Sequence, residues 1–376
     1  MKDKQAYDYK ISAAGRVNLI GEHIDYCGGK VFPAALSLRN VVYVRPNGTD
    51  KINLSWTTLS DKVSLDIHQL ETYHGLKYGN YQAGCAYVWT RAGKKLVGCD
   101  MLQDCSVPFG SGLSSSAAIE VSTLAALAMV AGENISPVEI ALLAQKAERE
   151  YVGMNCGIMD QYASACGKRG HAMLLDCKTL ECDYIPLTLN DCELVILDCK
   201  KPHTLVESKY NERCEETSSA LKKLQKYLPL TCLADLRKEE LETYRHCLLE
   251  VEYKRALHVV EECARVTLAK EKMQSGDLVG LGKLLNASHV SLKDLYEVTG
   301  TELDTLAFSA QKHPACLGSR MTGGGFGGCT VSIVKKNGLN DFVSSVCQTY
   351  QEKTGFTAAY YPTSIEDGLR IERLMQ

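Results

Sequence analysis

Pro108-Phe109-Gly110-Ser111-Gly112-Leu113-Ser114-Ser115-Ser116-Ala117 opens the most apolar helix-like run of the chain, Ala117 to Ala131. The two glycines allow close backbone approach, and the serines offer caps and donors. A helix beginning here presents free N–H groups and the positive end of its dipole. Such a loop is an anion site by construction. A serine-rich cap turn accounts for one serine, not for three following two glycines. No Walker A pattern, G-x-x-x-x-G-K-[ST], occurs in the sequence, so any phosphate work falls to this loop.

Working outward, the helix carries Ala117, Val121, Leu124 and Ala128 on a small-residue face, and Gly132 can end it. Ser136-Pro137-Val138-Glu139 reads as a capping box with proline at the first helical position, which starts a second helix. Its stripe is Ile140, Leu143, Ala144, Ala147 and Tyr151, with Gly153 as the stop. The residues before the loop read as strands, with β-branched runs such as Val41–Val44 and a turn at Asn47-Gly48. Three short strands follow between Ala172 and Cys199, helices dominate from about 207 to 312, and a strand, a glycine run, a strand over Cys329–Val334, one helix and a strand near Tyr360 close the chain. The class is α+β, divided into residues 1–188 and 189–376.

Bulk properties narrow the function. At 376 residues the chain suits two domains. Its 45% apolar and 23% charged residues are those of a soluble globular protein. A net charge of −3 without a basic stripe argues against nucleic acid as partner. Glu120 interrupts the apolar run, which is also too short to span a bilayer. The N-terminus lacks the apolar core of an export signal. The 17 cysteines therefore read as reduced cytoplasmic thiols, and the absence of C-x-x-C and H-x-x-x-H spacings argues against zinc.

Two further segments complete the pattern. Gly15-Arg16-Val17-Asn18-Leu19-Ile20-Gly21-Glu22-His23-Ile24-Asp25-Tyr26 sets Arg, Glu, His and Asp among glycines and apolar residues. Carboxylates and imidazole suit sugar hydroxyls, and a fixed guanidinium suits a phosphoryl group. Alone, the segment reads equally as a strand and turn with ordinary surface charges. Met321-Thr322-Gly323-Gly324-Gly325-Phe326-Gly327-Gly328 contains G-x-G-x-x-G, but a strand follows it rather than a helix. The dinucleotide reading fails, and a tight loop that approaches another loop or a substrate is expected.

Taken in order, these three segments resemble the galactokinase branch of the GHMP kinase family. Cys156-Gly157-Ile158-Met159-Asp160-Gln161 and Ser288-His289-Val290-Ser291-Leu292 look like further family blocks. The resemblance implies a two-domain GHMP kinase fold of α+β class with its active site in the cleft between domains. It implies ATP and Mg2+ as cofactors, a small sugar as substrate, no membrane or nucleic-acid partner, and a cytoplasmic monomer or weak homodimer.

By the same resemblance, Asp160 lies at the anomeric hydroxyl and Arg16 beside it and the γ-phosphate. Glu22, His23, Asp25, Gly157 and Tyr210 contact the sugar. Gly110, Ser111, Gly112, Leu113, Ser114, Ser115 and Ser116 hold ATP phosphates, Tyr78 lies near adenine, and Ser116 with Glu148 meets the metal. Common galactokinases read E-H-T-D-Y-N where this chain has Ile24 and Cys27, and many have a second Asp at Leu295. These departures resemble the N-acetylgalactosamine kinase branch, so galactose is the first expectation and a 2-acetamido derivative the alternative. A non-catalytic sugar and ATP sensor is disfavoured because Ser114-Ser115-Ser116-Ala117, Arg16 and Asp160 are all present. A mevalonate-type kinase would share the two loops but not Gly21-Glu22-His23-Ile24-Asp25-Tyr26.

Overall fold

The protein is described here from a computed structural model over residues 4–201 and 206–374. In chain order the strands are β1 (Tyr9–Asn18), β2 (Lys30–Val31), β3 (Pro33–Pro46), β4 (Lys51–Trp56), β5 (Lys62–Asp66), β6 (Cys99–Cys105), β7 (His171–Asp176), β8 (Cys182–Pro186), β9 (Cys192–Asp198), β10 (Cys316–Thr322), β11 (Cys329–Lys335), β12 (Ala359–Tyr361) and β13 (Arg370–Arg373). The helices are α1 (Asn80–Arg91), α2 (Ser115–Ala131), α3 (Pro137–Lys146), α4 (Met159–Cys166), α5 (Val206–Leu224), α6 (Lys238–Thr243), α7 (Glu250–Ser275), α8 (Leu278–Asp294), α9 (Gly300–Lys312) and α10 (Leu339–Thr354).

Three sheets result. The first has the order β13-β1-β3-β6-β4-β5, in which only β4 and β6 run parallel. The second is β10-β11-β9-β12 and the third β2-β7-β8. The chain passes from the third sheet to the second between β8 and β9, and its last strand returns to pair with β1.

Local chemistry explains the elements that position the site. Helix α2 lies against β1 and β3 on one side and α1, α3 and α4 on the other. Every residue from Ala117 to Leu127 is therefore buried, not one face alone. Small side chains let five neighbours approach at once. Ser136 caps α3 as its sequence implies, its Oγ accepting from the Glu139 N–H at 3.2 Å. The stripe continues past α3 into a π-helical turn, Ala147–Val152, which Gly153 ends in the left-handed region. Such turns place one residue out of α register, often at functional sites, and here the turn buries Glu148.

In β1 the pairing with β3 slips between Ala14 and Arg16. A Cβ on Gly15 would lie 2.8 Å from the Leu113 carbonyl oxygen. That close approach lets the Arg16 N–H donate to Leu113 at 3.1 Å, tying β1 to the serine loop. Irregular pairing of this kind re-aims a side chain, and Arg16 is the side chain re-aimed.

Candidate active site

A cavity of about 600 Å³ opens where the serine loop, the 21–29 loop, the start of α4, the start of α5 and the glycine run converge. Asp160, near the N-terminus of α4, is its chemical centre. Arg16 Nε donates to Oδ1 at 2.8 Å and an Arg16 terminal N–H donates to Oδ2 at 2.8 Å, a two-pronged grip. The other Arg16 terminal N–H reaches the Gly112 carbonyl. Ser114 Oγ donates to Asp160 Oδ2 at 2.6 Å.

The last contact explains a strained backbone. Ser114 precedes α2 in the left-handed region, with φ 61°, and does not cap the helix with its side chain. A non-glycine residue there costs on the order of 1–2 kcal/mol. The hydroxyl is turned to Asp160 instead of to the helix. Strain of this kind concentrates at sites that over-determine it.

The glycine run lies directly on the serine loop. A Cβ on Gly323 would come 2.6 Å from the Gly112 carbonyl oxygen, and one on Gly328 would come 2.8 Å from that of Ser111. Both glycines also have positive φ, 88° and 86°. Glycine is the residue that satisfies both demands.

The residues expected to contact the sugar lie here too. Glu22, His23, Asp25, Gly157 and Tyr210 all line the cavity. Glu22 is buried, paired with Arg320 of β10, and its Oε1 accepts from Asn18 Nδ2 at 3.2 Å. Asp25 is pushed up to about 6, first by burial and then by the Asp160 charge. His23 is pushed down to about 3 by burial, with His258 adding to the effect, so its imidazole is neutral. A Cβ on Gly157 would come 1.9 Å from Asp25 Oδ2, so the absence of a side chain at 157 makes room for the Asp25 carboxylate.

Behind the serine loop lies a buried acidic group. Ser116 lies beside Glu148, and both line the cavity. Burial, then Asp160, raises the Glu148 carboxyl to about 7. Gln161 Nε2 donates to Glu148 and, at 3.1 Å, to Glu120 Oε2. Glu120 is fully buried, which drives its carboxyl well above the usual range. Among the described residues no group of three or more His, Cys, Asp or Glu is arranged to hold a metal ion. The Ser116–Glu148 pair fits Mg2+, which takes one or two protein oxygens and completes its shell with phosphate and water.

Some expected residues are elsewhere. Tyr78 packs on Trp56 with ring centroids 5.8 Å apart and does not line the cavity; Tyr81, three residues on, does. Ser111 donates to the Pro108 carbonyl at 2.7 Å and Leu113 is fully buried, so both support the loop rather than line the cavity. Ile24 is buried against Gly29, where an added Cβ would come 2.9 Å from it. The Cys27 thiol leans on the His23 carbonyl at 3.8 Å. Neither side chain lines the cavity, and neither does Leu295. Ile24 and Cys27, the departures inside the sugar segment, are core positions rather than part of this cavity wall.

Four residues escaped the sequence reading: Arg320, Tyr81, Glu120 and Gln161. Glu120 had a signal, being the one charge inside an apolar helix. Gln161 stood beside Asp160 in a segment already singled out. Nothing local marks Arg320, whose partner Glu22 lies 298 residues away.

A glycine- and serine-rich loop ahead of a helix, a carboxylate held by a guanidinium and a serine–glutamate pair suited to a cation match a small-molecule kinase of the GHMP type. Family models agree: GHMP kinases N terminal domain matches residues 80–168, and GHMP kinases C terminal matches 269–352. The galactokinase galactose-binding signature matches residues 3–46. Galactokinase of Clostridium acetobutylicum is 41% identical over 98% of this chain and 95% of its own. That of Lactobacillus helveticus is 42% identical over 95% and 93%. The chain belongs to the galactokinase family of GHMP kinases. The crystal structure of Lactococcus lactis galactokinase complexed with galactose superposes with a TM-score of 0.95 at 39% identity, covering 98% of this chain and 96% of that one. Mevalonate kinase of Methanococcus jannaschii, at 17% identity, 95% and 98% coverage and a TM-score of 0.66, shares the fold.

Proposed function

We propose that this chain is an ATP-dependent galactose 1-kinase, transferring the γ-phosphoryl group of ATP to the anomeric hydroxyl of galactose. The observation that carries the reading is Asp160, gripped by Arg16 and Ser114 between the phosphate loop and the galactose-signature segment. The galactose complex of the Lactococcus lactis relative supports the substrate.

A carboxylate oxygen offers about two acceptor sites. Asp160 Oδ2 is filled by Arg16 and Ser114, whereas Oδ1 receives only Arg16 Nε. The anomeric hydroxyl therefore donates to Oδ1, which orients it and receives its proton as the phosphoryl group arrives. Phosphoryl transfer has a loose, anionic transition state, so positioning and charge stabilisation do most of the work. Arg16 and the N–H groups at the start of α2 supply positive potential, and the serine loop holds the phosphates. Ser116 and Glu148 would hold Mg2+, which would screen the phosphate charge. Glu22, Asp25 and Tyr210 bind the remaining hydroxyls. The units 1–188 and 189–376 are part of the same proposal, as is cytoplasmic action as a monomer or weak homodimer. Among the described residues no helix is long and apolar enough to cross a membrane.

The test is ATP-dependent turnover of galactose, N-acetylgalactosamine, glucose and mannose by the purified protein. Galactose is expected to have the highest kcat/KM, and a preference for another sugar contradicts the reading.

Two results follow from Asp25. Its carboxylate form accepts sugar hydroxyls and its carboxyl ionises near pH 6. KM for galactose is thus expected to rise as pH falls from 7 to 5 and to stay level above 7, with Asp25→Asn flattening the profile. Gly157→Ala is expected to displace Asp25, since the new methyl would lie 1.9 Å from Oδ2. Losing a charged hydrogen bond, ~1.5–3 kcal/mol, predicts a roughly ten- to hundredfold rise in KM for galactose in steady-state kinetics, with a smaller effect on kcat.

A further inference from the structure

His23 stands where the 21–29 loop meets the glycine run, and both its ring nitrogens are engaged. Nε2 lies 3.2 Å from the Gly324 carbonyl oxygen, and Nδ1 lies 2.8 Å from the Tyr26 hydroxyl. The Tyr26 hydroxyl lies in turn 2.8 Å from that of Tyr296. A carbonyl oxygen only accepts, so Nε2 carries the proton. The imidazole is neutral, held by burial near a pKa of about 3. It has one N–H, already assigned, so Nδ1 is bare and accepts from Tyr26. That commits the single Tyr26 proton, and the Tyr26 oxygen must accept from Tyr296. The direction is forced: Tyr296 donates to Tyr26, Tyr26 to His23, and His23 to Gly324.

The ring is also fixed in space. It lies between Tyr210 and Tyr296, with centroids 5.5 and 4.8 Å away, and the His23 backbone has φ 62°. Tyr296 is fully buried and also packs against His258, 4.5 Å between centroids. Tyr26 and Tyr296 do not line the cavity, whereas His23 and Gly324 do.

We infer that Tyr26 and Tyr296 are positioning residues for sugar binding: they fix His23 as an Nε2–H donor facing the cavity and so hold the glycine run to the sugar loop. The inference deepens the galactose 1-kinase reading and rests on it. A sugar at this wall meets a donor and never a bare ring nitrogen, so the group placed here must offer an oxygen lone pair. The 3.2 Å separation from Gly324 leaves the N–H able to share itself with such an oxygen.

The test uses the full chain with 15N-labelled histidine, comparing wild type, Tyr26→Phe and Tyr296→Phe. In the wild type without substrate, NMR is expected to report His23 as the Nε2–H tautomer. In Tyr26→Phe, Nδ1 loses its donor while the Gly324 carbonyl keeps the proton on Nε2, so the Nδ1 resonance should move downfield toward that of an unbonded bare nitrogen, and KM for galactose should rise roughly three- to tenfold, the effect of one neutral hydrogen bond. kcat and KM for ATP should stay within about twofold. Tyr296→Phe should shift KM in the same direction by less, and it carries the test if Tyr26→Phe does not fold. An Nδ1–H tautomer in the wild type, an unchanged Nδ1 resonance and KM in a folded variant, or a fall in kcat at constant KM overturns the inference. Failure of the kinase reading is distinguishable, because it appears as absent galactose turnover by the wild type, while the tautomer is read without substrate.

Discussion

Asp160→Asn is expected to lower kcat for galactose by roughly a hundredfold or more, with the protein still folded and ATP still bound. The substitution preserves shape but replaces one acceptor oxygen by an NH2 group. Oδ2 accepts from both Arg16 and Ser114, and Oδ1 from Arg16 Nε. Whichever way the amide turns, its NH2 faces an N–H donor of Arg16, and the grip opens. The anomeric hydroxyl then loses its acceptor and the proton its destination. Groups that act mainly in the transition state lower kcat and kcat/KM together, and removing one preorganised group costs on the order of 100–1,000-fold. Steady-state kinetics on the purified variant, with ATP affinity measured separately, checks this. Near-wild-type turnover would remove Asp160 from the chemistry.

Arg16→Ala is expected to cut kcat by a comparable factor, roughly a hundredfold or more, through two losses rather than one. The guanidinium is almost fully buried, grips Asp160 at 2.8 Å through both prongs and also donates to the Gly112 carbonyl of the serine loop. Alanine removes the cation beside the transferred group and the side-chain tie to the Gly112 carbonyl, while the backbone bond from residue 16 to Leu113 stays. Arg16→Lys separates the two, because lysine keeps the charge but cannot span Asp160 and Gly112 with a planar fork. It should recover only a small part of the lost kcat. Full recovery by lysine would mean that charge alone matters, and unaffected turnover in the alanine variant would contradict the assigned role.

Much of this site was legible because its parts are local. The serine loop announces itself by two glycines and three serines before a helix, and the Ser136 cap and Gly132 and Gly153 stops follow from single-residue chemistry. The glycine run was readable as a loop made for close approach, and its neighbour proved to be the serine loop. What was not legible depends on distant pairing. β13 joins β1 across almost the whole chain, and Arg320 meets Glu22 across 298 residues. The π turn is hidden because a helical stripe continues through it, yet it buries Glu148. Ile24 and Cys27 misled for a related reason: they sit inside the sugar segment but point into packing. Proximity in sequence to Glu22 and Asp25 is not proximity to the cavity. Tyr78 and Tyr81 make the same point, since three residues across the start of α1 separate the ring that packs on Trp56 from the ring that lines the site.

The central claim is transfer of phosphoryl to the anomeric oxygen of galactose, and phosphorus–proton correlation NMR of the reaction product tests it most directly. With wild-type protein, ATP, Mg2+ and galactose, the new phosphorus resonance should couple to the anomeric proton at carbon 1. Coupling to the protons at carbon 6, or release of inorganic phosphate from ATP with galactose unchanged, would contradict the account.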